Sequence, residues 1–308
     1  MLLNGAQYLA HSADRSFLCG MAIAAIAVTH SARGANEAAA IPDLSGQWGR
    51  DTVFFEPPAS GPGPVVTRLK NPDGTAKPDP WVGDYNNPIL KPEAAESVRK
   101  RGELAMSGTV APDLHNSCWP EPPPYSMSLQ FGVNILQQKD EITLIYLLQN
   151  VRHVRLNSRH PAKLTPSWQG DSIGWYEGDT LVVDTVGIKA APISTVDPFG
   201  TPHSDALHVV ERYRLIDGST AAEAQRKQGI LPVPEGTFYG RGPLDPDPAK
   251  KGLEVEFIVE DEGVFTTAWS ARASYQRFIG EWPEALCAEH PQFFGTDTHI
   301  PAAGKADF

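Results

Sequence analysis

Residues 173–186 read as a β-hairpin. Ile173-Gly-Trp-Tyr leads into Glu177-Gly178-Asp179, and Thr180-Leu-Val-Val-Asp-Thr-Val186 follows, so β-prone runs flank a short glycine-containing turn. The hairpin lies within residues 168–214, the stretch richest in aromatic, acidic and imidazole side chains. Side chains of a strand alternate between faces. Leu181, Val183 and Thr185 therefore share one face, and Thr180, Val182, Asp184 and Val186 share the other. In the next run Leu207, Val209, Glu211, Tyr213 and Leu215 line one side, against His208, Val210, Arg212 and Arg214. If the Leu/Val/Tyr side faces the core, Glu211 sits among apolar neighbours. Such a setting favours the protonated carboxyl and suits an acid or base near neutrality. An ion pair with an arginine across the sheet is the plainer role for Glu211, as is a structural hydrogen bond for Asp184.

The same period recurs along the chain. Runs at 129–137 and 142–148 form a hairpin, and 151–156 follows with Arg152 on one face and His153 and Arg155 on the other. Residues 253–260 alternate apolar with glutamate, and 265–275 form the next run. The total is eight or nine antiparallel strands in hairpin order. The 28 prolines and 27 glycines suit short strands joined by ordered loops. The expected fold is all-β: an antiparallel up-and-down β-barrel of calycin or lipocalin-like type, with long Pro/Gly-rich loops and one short helix. A two-sheet sandwich is the rival. Gly46-Gln-Trp48 resembles the opening of lipocalin-like barrels, in which the tryptophan closes one end. Residues 41–308 are read as one domain. Within it, 51–115 form a mostly irregular wrap with a short helix near 92–102, and 218–251 a proline-rich loop or lid.

Residues 1–40 read as a signal peptide. Arg15 precedes the short apolar run 17–28, and small residues follow up to Ala38-Ala39-Ala40. The run is too short to span a bilayer comfortably, so stable membrane insertion is not expected. A periplasmic or secreted location follows. Cys118 and Cys287 are then an even pair in an oxidising compartment, which suggests one disulfide. A reactive thiol beside His115 or His290 is the alternative. The net charge of −11 argues against nucleic acid as a partner.

Several segments carry a resemblance. Asp43-Leu-Ser-Gly-Gln-Trp48, the Cys118-x-Pro loop, Trp168-x-Gly-x-Ser-Ile-Gly-x-x-Glu-Gly-Asp-Thr-Leu-Val-Val-Asp-Thr185, Pro202-His-Ser204 and His208-Val-Val-Glu-Arg-Tyr-Arg214 are similar to a large family of exported proteobacterial proteins of poorly defined function. The resemblance runs from about residue 41 and implies a lipocalin- or hydratase-type barrel. It implies no particular activity.

The chain has no Gly-rich phosphate loop, HExxH, CxxC or Gly-x-Ser-x-Gly. His203, His208 and Glu211 invite a metal reading, but on a strand His208 and Glu211 point to opposite faces. No metal and no cofactor are therefore expected. The leading expectation is cofactor-independent general acid–base chemistry, of lyase, hydratase or isomerase type, on a small hydrophobic or aromatic molecule. Glu211 and Asp184 are its acid/base candidates, with His203 and His208 as proton shuttles. Tyr146, Trp175 and Tyr213 would shape the pocket, and Arg152 or Arg155 would hold an anionic group. The alternative is a periplasmic carrier of an apolar ligand that does no chemistry. A packed barrel interior would instead favour a structural or interaction domain.

Overall fold

The computed structural model describes residues 41–74, 76–77, 81–109, 111–114, 117–128, 132–146, 150–229 and 243–282. All belong to the unit Ala39–Phe308. The expected signal segment, Cys287 and His290 lie outside the described residues, as does His115.

Among the described residues nine strands close into one barrel in chain order. They are β1 (Gly46–Gly49), β2 (Val133–Gln137), β3 (Glu141–Tyr146), β4 (Asn150–Leu156), β5 (Asp171–Glu177), β6 (Thr180–Val186), β7 (His208–Asp217), β8 (Lys251–Glu260) and β9 (Trp269–Arg277). The hairpin read from the sequence is β5–β6, with Glu177 opposite Thr180. Gly178, at φ +63°, takes the left-handed conformation that so tight a turn requires.

The barrel departs from an all-antiparallel meander at one place. β4 and β5 run parallel, with Val154, Arg155 and Leu156 beside Ser172, Ile173 and Gly174. A parallel pair needs a crossover rather than a tight turn. Residues 157–170 supply it, carrying the chain back along the wall before β5 begins. Arg155 pins this crossover by donating to both oxygens of Asp171 at 2.9 Å.

Among the described residues three helices stand where a single short one was expected. α1 (Pro92–Met106) runs past Gly102, the glycine read as its end. That glycine is buried against Val82, where a Cβ would stand 3.2 Å from Cγ1, so it serves close packing and does not stop the helix. α2 (Tyr125–Ser128) is a single buried turn. α3 (Gly218–Gln228) occupies the start of the segment read as a loop. Its sequence, GSTAAEAQRKQ, consists mostly of good helix formers and ends at Gly229. The prolines that suggested a loop come after it.

Ile135, Leu144, Val154, Leu181, Val183, Val209, Tyr213, Val255, Phe257, Ala271 and Tyr275 point inward and are buried. Each large side chain buried in this way contributes roughly 1.5–3 kcal/mol relative to exposure. Trp48 of β1 is fully buried, and its Nε1 donates to Leu44 O at 2.9 Å. The Arg277 guanidinium lies 3.6 Å from the centre of the Trp48 ring. Gly46, at φ +108°, makes room for it, because a Cβ there would stand 2.6 Å from Arg277 Nη1. Beyond β1, residues 50–57 continue along the seam toward β9, where Glu56 and Arg272 exchange backbone hydrogen bonds at 2.8 and 3.0 Å.

Candidate functional site

The sequence-derived candidates do not gather at one point. Strand alternation divides them between the two faces of the barrel wall.

Glu211, Arg152, Tyr213 and Tyr146 point inward. Glu211 is fully buried. Its Oε1 accepts from Arg152 Nη1 at 3.0 Å and from Tyr213 Oη at 2.9 Å, and its Oε2 accepts from Arg152 Nη2. Arg152 also donates to Ser172 Oγ at 3.0 Å and Thr185 Oγ1 at 2.9 Å. Burial, reinforced by the Glu211 charge, pushes the Tyr213 phenol well above its usual range and keeps it a donor. Both oxygens of Glu211 are thus committed to protein donors, and the residue is the plainer thing: half of an internal ion pair.

Asp184, His208 and Arg155 point outward. Asp184 Oδ1 lies 2.7 Å from His208 Nε2, and His208 Nδ1 lies 3.1 Å from Glu260 Oε2. A third group enters from the crossover. His160 Nδ1 lies 2.6 Å from Asp171 Oδ1, and its Nε2 stands 3.8 Å from Asp184 Oδ1. That Nε2 is buried and has no hydrogen-bond partner among the described residues. The hydrogen bonds from Arg155 and His160 hold the Asp171 carboxyl below its usual range, so it stays ionised. Asp171 thus holds the His160 ring in place through Nδ1. The result is a partly exposed chain of Arg155, Asp171, His160, Asp184, His208 and Glu260, in which the His208, Asp184 and His160 side chains are 33, 26 and 21 % exposed.

The surroundings of this array are apolar. Asp184 pairs with Ile173 on one side and Val210 on the other, and Val210 pairs with Ile258, which is 43 % exposed. One step along, Asp171 pairs with Val186.

The remaining candidates lie apart. Trp175 is on the outer wall, donating to Glu177 Oε1 at 2.9 Å, and does not line an interior pocket. His203 sits in the loop before β7, where burial lowers its pKa and its Nδ1 meets Ser204 O at 3.1 Å. Among the described residues no group of three or more His, Cys, Asp and Glu side chains is placed to hold a metal ion. No described helix is long and apolar enough to cross a membrane.

His160 and Asp171 escaped the sequence reading. His160 precedes Pro161, which reads locally as a turn. Only the crossover, a long-range feature, folds it back onto β5 and β6. A small apolar hollow of about 60 Å³ also went unforeseen. Phe54, Phe55, Val65 and Phe199 line it with Asp197, whose carboxyl burial pushes up to about 6. No family model, curated protein or solved structure matches the chain.

Proposed function

We propose that the protein is an exported, lipocalin-like barrel enzyme that performs cofactor-independent general acid–base chemistry at its outer wall. The substrate is a small hydrophobic or aromatic molecule. One observation carries this reading: His160 and His208 both turn Nε2 toward Asp184, while carboxylates hold their Nδ1 atoms. Imidazoles exchange protons near neutrality, and a carboxylate on the far nitrogen fixes ring and tautomer. His208, the more exposed imidazole, exchanges the proton with the substrate, and Asp184 with His160 behind it forms its relay. Ile173, Val210 and Ile258 supply the apolar contact. The lipocalin-like part of the reading is supported by the buried Trp48 of the first strand, beneath Arg277. Export is supported by the apolar run and small residues of the first forty positions.

Proton abstraction from carbon leaves an isotopic trace. Incubating the full chain in D₂O with a panel of small aromatic ketones and α,β-unsaturated acids should show enzyme-dependent deuterium incorporation next to the carbonyl. His160→Gln and Asp184→Asn should each slow it by roughly 10²–10⁴-fold. Incorporation indifferent to both changes, or none above buffer, would sink the proposal.

The hollow at Phe54, Phe55 and Phe199 favours a second reading, a carrier without chemistry. Its stacked rings, with centroids 6.0 Å apart for Phe54 and Phe199, would receive an apolar end of a ligand. Saturable binding of an apolar fluorophore, lost in Phe199→Ala, with no deuterium incorporation for any compound, would favour the carrier.

A further inference from the structure

The geometry points to a second ligand site, for a small carboxylate, in the groove between α3 and β9. It is independent of the acid–base array. The groove has a volume of about 480 Å³, within the range of small-molecule sites. Ser219, Thr220, Glu223 and Lys227 of α3 form one wall, facing Glu56 and Arg272.

The cations of this groove are incompletely committed. Arg272 spends Nε and Nη2 on Pro57 O at 3.2 and 3.1 Å. Its Nη1 stands 3.6 Å from Glu254 Oε2, wider than a hydrogen bond, and can turn to an incoming oxygen. Lys227 pairs loosely with Glu223 at 3.5 Å, and its side chain is 66 % exposed. Gln225, buried on α3, accepts from Asp51 N at 2.6 Å through Oε1, while its Nε2 has no partner among the described residues. Arg50 Nε, also buried, has none either.

Glu56 selects the kind of anion. Its carboxyl meets Arg50 at 3.2 Å and Ser274 Oγ at 3.3 Å, with Arg272 alongside, and it is almost fully buried. Burial pushes it up to about 7, against the pull of Arg50, so it holds a proton part of the time at neutral pH. A second carboxylate placed beside it can share that proton, as paired carboxyls do. A doubly charged phosphate would meet Glu56, Glu223 and Glu254 at greater cost. A guanidinium also offers its N–H groups in the fork that two carboxylate oxygens match.

Calorimetric titration of the full chain with benzoate, in two buffers of different ionisation enthalpy at slightly alkaline pH, tests this. Saturable binding with proton uptake is expected. Lys227→Glu and Arg272→Ala should each weaken it about tenfold or more, the worth of a charge-assisted bond. Glu56→Gln should retain binding but lose the proton uptake. If Arg272→Ala fails to fold, Lys227→Glu, on the exposed face of α3, carries the same test. Absence of saturation, or affinity unchanged in Lys227→Glu, overturns the site. Equal affinity for inorganic phosphate overturns its assignment to carboxylates.

Discussion

Arg152 and Glu211 are joined across the inside of the barrel. They come from β4 and β7, which are not neighbours, and Arg152 Nη1 donates to Glu211 Oε1 at 3.0 Å. The pair spans two intervening strands and fixes how the wall curves between them. Removing one partner strands a buried charge, which costs roughly 3–5 kcal/mol, whereas replacing both by apolar groups is often close to neutral. Glu211→Gln and Arg152→Met should each lower the free energy of unfolding in urea by about that amount. The double variant Arg152→Met/Glu211→Leu should recover most of the loss.

Glu56 predicts a pH dependence with a definite sign. Its carboxyl titrates at about 7 in the folded chain against an ordinary 4.5, because burial disfavours the charged form more than Arg50 favours it. The folded state thus holds the proton more tightly than the unfolded state. The contribution to stability is full below about pH 4.5 and is lost as pH rises through 7, a swing of about 3 kcal/mol. Urea titrations at mildly acidic and mildly alkaline pH should show wild type losing stability on the alkaline side. Glu56→Gln should flatten that difference.

Arg277 lies over the Trp48 ring, and Gly46 is the condition for their contact. Arg277→Ala removes the stacked cation and the bond from Nη1 to Ser45 O at 2.7 Å. A loss of about 1–2 kcal/mol is expected, with a shift in tryptophan emission as the ring gains water. Gly46→Ala should produce the same spectral change, because its Cβ displaces the guanidinium.

Asp171 separates a structural role of the outer array from a chemical one. It anchors the crossover through Arg155 and orients His160 at the same time. Asp171→Asn keeps the volume but weakens the hold on the His160 ring. Deuterium incorporation should fall about tenfold or more, with an altered pH profile, while the melting temperature falls by only a few degrees. A change in stability alone would reduce the array to an anchor.

Much of the barrel was legible because strand alternation is local. The faces assigned to Leu181, Val183, Thr185 and Asp184, and those of Glu211 and His208, are the faces they occupy. Alternation also shows why the catalytic quartet could not assemble: Asp184 and Glu211 belong to opposite faces of adjacent strands. The parallel pairing of β4 with β5 was not legible. It depends on where a fourteen-residue crossover, 157–170, travels, and no local pattern records that path. His160 was missed for the same reason. α3 was hidden by prolines that follow it, and Glu56 by the prolines beside it, although its backbone continues the β1 seam.

The barrel's seams are uneven. β4 meets β5 over three residue pairs and β1 meets β9 over two, whereas β7 and β8 share ten. β1 also meets β2 over only three, so β1 is thinly held on both sides and β4–β5 is a third thin joint. Amide protons along those joints should exchange with solvent sooner than those of β7 and β8. The wall would open first beside β1 and at the β4–β5 joint, and the outer array straddles the latter through Arg155 and Asp171.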